Sequence, residues 1–474
     1  MGIFGRIDTF ITWFDGVVWG LPLIILILVT GIFLTVRLGL LQVRYLGKAL
    51  KFMVKNEEDG HGEVTSFGAL CTALSATIGT GNIVGVATAI SAGGPGALFW
   101  MILTAFLGMA TKYSEGLLAV KYRTIDEDGH VLGGPFYYIE NGMGVKFRWL
   151  AKIFAFFGAG VGLFGIGTFT QVNGISSAVR NFFDPNMAHT VALFGNDYSW
   201  ATVISCLVLT VCVGMVVLGG IKRIAKVSEI VVPFMAVLYV VLAVIIMVTN
   251  ITAIPAAIVT IVKSAFTGSA LAGGAMGSMI VAMQKGIARG IFSNESGLGS
   301  APIAAAAAQT KEPARQGLVS MTGTFIDTIV ICSCTAMIML LVPEDLVAGL
   351  SGMELLQTAM RYHLGEFGVI FIAATLFMFS FSTFLGILFY ARSNVAYLFG
   401  DNWLSQTAYK VMALVMLFAG GLAAYTVVWD LGDVGIGLMT IFNTAILYLL
   451  GGEALKELRE YEAGKACKKK SLEE

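Results

Sequence analysis

In the stretch LSATIGTGNIVG, Leu74 to Gly85, the residues Gly79, Gly81 and Asn82 interrupt a run otherwise apolar enough for a lipid bilayer. A helix that unwinds there, over Ile78 to Gly81, uncovers two kinds of backbone group. The carbonyls ending its first half suit an ammonium group or Na⁺. The N–H groups opening its second half, at the positive end of a helix dipole, suit a carboxylate. One break can thus hold both ends of an amino acid. Unpaired backbone in hydrocarbon costs several kcal/mol per group, so such a break implies a lined cavity. A packing role is the alternative, with Gly79, Gly81 and Gly85 forming a small-residue face for a neighbouring helix. A second polar intrusion is Asp327, in the middle of TFIDTIVICS. An aspartate there costs about 2.5–3.5 kcal/mol on insertion scales, so it is either paired, in a structural or coupling role, or in contact with a substrate. Catalysis finds no comparable support. His61, His130, His189 and His363 fall in loops or at helix ends, so no Ser–His pair, metal cluster or haem site assembles in mid-membrane, whatever the serines of NESGLGSAP suggest. Cys71, Cys206, Cys212, Cys332, Cys334 and Cys467 lie in or beside apolar runs without CxxC spacing and read as inert thiols.

These residues must be positioned by membrane helices. Of 474 residues, 57% are apolar and 13% charged, against about 25% charged in soluble domains. Runs of about 20 apolar residues cross a hydrocarbon core as helices. The sequence predicts an all-α polytopic fold with spans at 17–37, 65–91, 96–119, 150–179, 200–219, 228–249, 266–290, 317–341, 366–392, 408–428 and 432–450, eleven in all. The start lacks a basic region before its first apolar run, so no cleavable signal peptide is expected. Basic residues collect on the cytoplasmic side. With the N-terminus outside, every one of the 30 falls inside except Arg6, Arg180, Lys263 and Arg361, which predicts a cell-membrane protein with its C-terminus in the cytoplasm. The loop containing GGPFYYIENGMG reads as an ordered turn, and 453–474 as a solvated cytoplasmic tail, a charged helix or a disordered end flanking the membrane. Nucleic acid is not an expected partner. A channel would call for charge rings or a filter repeat, and the sequence carries neither.

A second interruption strengthens the first. The span 266–290 holds Gly273, Gly274 and Gly277 and opens the second half of the protein. Interrupted helices at corresponding places in two halves point to a transporter site between repeats. Setting aside 17–37, ten spans divide into 65–249 and 266–450. Five helices per repeat force the repeats to be inverted.

Four segments carry a resemblance: Thr72 to Met101, GGPFYY at Gly133 to Tyr138, GIARGIFSNESGLGSAP at Gly286 to Pro302, and TGTFIDT at Thr322 to Thr328. They resemble the signatures of the alanine or glycine:cation symporters, within the amino acid–polyamine–organocation superfamily. The resemblance implies a LeuT-like five-plus-five inverted-repeat fold with one extra N-terminal helix. It also implies alternating access, alanine or glycine as substrate, and Na⁺ as the usual coupling ion, with no other cofactor; H⁺ coupling is the alternative. In LeuT-like folds a sodium ion commonly sits between the first broken helix and the eighth core helix, here 366–392. Carried over, that site takes the hydroxyls of Ser382 and Thr383 and the carbonyls of Phe379, Ser75 and Ile78. The alternative for the hydroxyls is bonding back to their own helix.

Substrate contacts are expected from Thr77, Gly79, Thr80, Gly81 and Asn82 at the first break, from Gln171 on the third core helix, and from Gly274, Met276, Gly277 and Ile280 at the second interruption. Asn82 equally reads as a tie for the broken backbone, and Gln171 and Asn173 as interhelical hydrogen bonds. Lys112, Glu115, Lys285, Arg289 and Glu295 are placed at cytoplasmic helix ends, where they snorkel or form gate salt bridges.

Overall fold

The computed structural model describes the backbone of residues 3–55, 60–125, 130–193, 196–217, 220–267, 275–423 and 425–473; side chains are described within these ranges except at 3–8, 217, 220–221, 275–278, 425–427 and 465–473. Helix dominates it. Two short antiparallel hairpins, Thr124–Ile125 with Val131–Leu132 and Thr190–Leu193 with Asn196–Ser199, lie in connections.

Gly220–Thr249 shows why these helices belong in a membrane. Its exposed positions include Ile230, Phe234, Val237, Val241, Val244 and Val248, spaced by three or four residues, while Met235, Tyr239, Ala243 and Ile246 on the other face are buried. A soluble helix would carry polar groups on the exposed stripe. Among the described residues, seven helices are long and apolar enough to cross a membrane, and an eighth span is the bent pair Ser66–Thr77 and Gly81–Gly93. The chain is therefore a multi-pass membrane protein. The expected spans 200–219, 266–290 and 408–428 correspond to Trp200–Val217, Ala275–Asn294 and Trp403–Leu422, which stay below that measure among the described residues.

Three features refine the sequence reading. The span expected at 150–179 is present as Val145–Phe183, but its helix is interrupted at Gly165 to Thr168, between Arg148–Phe164 and Phe169–Phe183. The last helix runs unbroken from Tyr425 to Glu473, so the expected tail continues the final span. The expected second interruption falls only partly on described residues. Gly273 and Gly274 fall outside the described residues, and from Ala275 the helix continues through Gly277 to Asn294. The chain also unwinds at Glu295 to Ser300, before the short helix Ala301–Ala306. Small residues alone do not break a membrane helix, because they also serve close packing.

Packing brings both breaks to the centre. Gly96–Lys121 lies against Ala275–Asn294 and Pro313–Thr324, and Glu366–Phe399 lies against Ser66–Thr77. At that last crossing a Cβ on Gly386 would sit 2.6 Å from the Ala76 nitrogen, so glycine is what lets the helices touch.

Candidate substrate and cation site

Thr65 starts the first half-helix by accepting the Gly68 N–H on its hydroxyl at 2.9 Å. The helix stops because Ile78 turns extended (φ −76°, ψ 94°), and the chain resumes from Gly81 at a 53° bend. The freed N–H groups find side chains. Gly79 N donates to Asn82 Oδ1 at 2.8 Å and Thr80 N to Gln171 Oε1 at 3.1 Å. In a continuous helix the Gly79 N–H would bond to the Ser75 carbonyl; its capture by Asn82 releases that carbonyl. The Ser75 hydroxyl turns back to Thr72 O (2.7 Å), and that of Thr77 to Leu74 O (3.4 Å).

The Ile78 carbonyl faces Glu366–Phe399. Thr383 Oγ1 lies 3.2 Å from Ile78 O and 3.0 Å from Phe379 O; Ser382 Oγ lies 3.5 Å and 2.8 Å from the same two atoms. Each hydroxyl has one hydrogen and two carbonyls to serve, so this knot of four oxygens carries surplus lone pairs. Hard, uncharged oxygen donors of this kind suit a monovalent cation. The structure thus brings Ile78, Phe379, Ser382 and Thr383 together, with back-bonding to Phe379 present at the same time.

Close approach, not unusual torsion, requires the two glycines. Neither takes a positive φ. A Cβ on Gly79 would lie 2.4 Å from Thr383 Oγ1 and 3.0 Å from Gln171 Oε1, and one on Gly81 would lie 3.0 Å from the Phe292 ring. Asn82 passes its amide nitrogen on to Asp327 Oδ1 at 2.7 Å. Asp327 Oδ2 also accepts from Ser293 Oγ (2.8 Å) and Thr328 Oγ1 (2.7 Å), in a segment, Phe325–Cys332, that widens into π-helical turns. Asp327 therefore ties together three membrane helices. Asn173 turns away to donate to Ala423 O at 3.1 Å. Ile280 is half-buried and lies in the same continuous helix as Phe292, about 18 Å earlier along its axis. Gly274 is outside the described residues, and of Met276 and Gly277 only the helical backbone is described.

The break at Glu295 to Ser300, called the second break below, was not expected, although its signal, two glycines and five polar residues in SNESGLGS, stands in the sequence. Gly297 (φ 87°) and Gly299 (φ 85°) occupy left-handed backbone, as does Glu295 (φ 54°). Charged groups support it. Lys112 Nζ donates to the carbonyls of Asn294 (3.0 Å) and Glu295 (3.1 Å), and lies 4.0 Å from Glu115 Oε2. Glu115 Oε1 accepts from Gly299 N (3.0 Å) and Asn443 Nδ2 (2.7 Å), and Asn443 also donates to Gly297 O (2.9 Å). The GGPFYY loop buttresses this region, with Tyr138 donating to Asn443 and Pro135 packed at Gly299. Lys112, Glu115, Arg289 and Glu295 are all buried, so the snorkelling placement is corrected: these charges are held by protein partners, not by water. Lys285 alone of that set is half-buried.

Arg289 belongs to a third cluster. It makes two 2.7 Å bonds to the Asp433 carboxylate, and its guanidinium lies 4.9 Å from the Trp429 ring centre and 5.5 Å from that of Phe292. Those two rings stack at 5.1 Å, with Phe292 against Gly81. From the N-terminal segment, Trp19 Nε1 donates to the Asp433 carbonyl at 3.0 Å.

Broken helices meeting at a buried polar centre within a membrane bundle define a carrier, not an enzyme. The profile of the sodium:alanine symporter family matches residues 5–474, and the chain belongs to that family. It is 43% identical over 465 residues to the sodium/alanine symporter AgcS of Methanococcus maripaludis, covering 95% of this chain and 97% of that protein. It is 36% identical over 433 residues to the amino-acid carrier protein AlsT of Bacillus subtilis, covering 91% and 87%. A third relative, the putative sodium/proton-dependent alanine carrier protein YrbD of Bacillus subtilis, is 37% identical over 472 residues, covering 96% and 93%.

Proposed function

We propose that this protein couples uptake of a small neutral amino acid, alanine or glycine, to Na⁺ by alternating access. The observation that carries the reading is the four-oxygen knot of Ile78, Phe379, Ser382 and Thr383 at a bend in a membrane helix. A sodium ion there accepts the surplus lone pairs, joined by the released Ser75 carbonyl, and ties the first half-helix to Glu366–Phe399. The substrate carboxylate takes over the Gly79 and Thr80 N–H groups that Asn82 and Gln171 now occupy, since a charged acceptor outbids an amide oxygen. Arg289 and Asp433, with the Phe292–Trp429 stack, close one side of the break and open with the cycle. The bundle is read as two inverted repeats, 65–249 and 266–450, beside the extra helix 17–37, with the N-terminus outside and the tail 453–474 in the cytoplasm. A relative named as sodium/proton-dependent supports a second reading in which protons contribute to coupling.

Uptake of labelled alanine into proteoliposomes, with and without an inward sodium gradient, tests the proposal. Accumulation above equilibrium only with the gradient is expected. Equal uptake with a proton gradient alone would overturn sodium coupling.

A further inference from the structure

The second break holds more negative charge than its cation neutralises. Among the described residues the ammonium beside it is that of Lys112, two of whose N–H groups serve the Asn294 and Glu295 carbonyls. Two carboxylates share what remains. Glu115 has two donors on Oε1, and its Oε2, without a hydrogen bond among the described residues, lies 4.0 Å from Lys112 Nζ. Glu295 accepts from Ser300 Oγ on Oε2 (2.5 Å), while its Oε1 is buried with no hydrogen-bond partner among the described residues. The Tyr390 hydroxyl, on Glu366–Phe399, is likewise buried and unpartnered, and lies in the field of Glu295 and Glu115. The other groups facing the pair are accounted for. Asp327 is held by Asn82, Ser293 and Thr328, and Tyr138 and Asn443 face Glu115. Lys112 is thus the one described ammonium beside the buried carboxylates Glu115, Glu295 and Asp327, so negative charge is left over, and like charges so placed favour protonation of one of them.

A side chain is also held where glycine would be easier. Glu295 adopts φ +54° between Asn294 and Ser296, in a stretch that already uses glycine at two other left-handed positions.

We propose that Glu295 is a proton-binding site of the transport cycle. Its Oε1 takes one proton from hydronium, forming an O–H bond and leaving water, and returns that proton to water when the surrounding helices reopen. The uptake neutralises the surplus charge before the break is closed off. This rests on the symporter reading above and adds a proton to its coupling chemistry.

The test on the unaltered protein uses dicyclohexylcarbodiimide, which adds to protonated carboxyls in apolar surroundings. Full-length protein in liposomes is treated across a pH series, digested, and the modified residue found by mass spectrometry. Glu295 should be modified at about pH 6, with modification falling about tenfold or more by about pH 9. No modification at any pH, or equal modification throughout, would overturn the proposal. So would suppression by Na⁺ instead of by alkali, which would make Glu295 a sodium ligand. The assay needs no substrate, so it stands even if sodium-driven alanine uptake fails. A second measurement compares the pH profile of uptake at saturating sodium. Wild-type uptake should vary severalfold over that range and the profile of Glu295→Gln should be flat; an unchanged profile in the variant would refute the assignment.

Discussion

The two breaks solve one problem, orphaned backbone inside a membrane, with opposite materials. At Ile78 to Gly81 the partners are neutral: the amides of Asn82 and Gln171 and the hydroxyls of Ser382 and Thr383. At Glu295 to Ser300 they are charged: Lys112 on two carbonyls and Glu115 on an N–H. Removing one partner of a buried charge leaves the other uncompensated, whereas a neutral amide or hydroxyl gives way to a better ligand at modest cost. The first break is therefore suited to exchange its partners for substrate and ion, and the second to hold its shape.

Substitutions at the two breaks should differ accordingly. Lys112→Met should have the largest effect, because it strands two carbonyls and Glu115 together; a loss of about 3–5 kcal/mol is expected, seen as a collapse of the melting temperature in detergent. Gly299→Ala comes next. It forces a side chain into left-handed backbone, with its Cβ 2.8 Å from Phe154 and 2.9 Å from Pro135, and should lower stability by about 1–3 kcal/mol in the same assay. Gly81→Leu should act on binding above all. Its backbone is helical, but its Cβ would lie 3.0 Å from the Phe292 ring and 3.2 Å from the Ser293 Cα, so stability should fall by about 1–3 kcal/mol while alanine binding to purified protein is lost altogether. A Gly81→Leu protein that bound alanine normally would break the comparison.

The smallest effect lies outside both breaks. Asp184 is held below the usual carboxylate range by the Ser199 hydroxyl (2.6 Å) and then by the N–H groups of Ala188 and His189. A depressed carboxylate stabilises the folded state above its unfolded value, near pH 4, and that contribution is lost as pH falls through the folded one. Asp184→Asn should therefore melt slightly below wild type at neutral pH, and the gap should narrow as the pH falls below the unfolded value of about 4. Sodium dependence of transport should not move.

The contrast between the breaks also explains what was legible in the sequence. Gly79, Gly81 and Asn82 announce the first break because neutral polar residues stand alone in an apolar run. Of Gly273, Gly274 and Gly277, which carry the same signal nearby, the described residues include Gly277, and it sits within a helix, since glycine permits unwinding without requiring it. What requires it is a set of partners for the freed backbone. Those of the second break come from Lys112, Glu115 and Asn443, far away in the chain, and no local pattern joins them. Placing Lys112 at a helix end followed from counting charge as a cost to be carried to water. Buried, with two carbonyls as acceptors, it is instead the group that makes unwinding tolerable. Ser382 and Thr383 could be named through resemblance alone, because adjacent hydroxyls on a membrane helix ordinarily bond back to their own backbone, and here they do so while also reaching Ile78.

The exchangeable character of the first break is tested most directly by titrating sodium against alanine binding in wild type and Thr383→Ala. The account predicts that the variant melts within about 1 kcal/mol of wild type, having lost one partly used hydroxyl, yet needs about tenfold or more sodium for half-maximal alanine binding, having lost one oxygen of a monovalent-cation site. A sodium requirement identical to wild type would contradict it, and would leave Ser382 and Thr383 as hydroxyls that merely pack one helix against another.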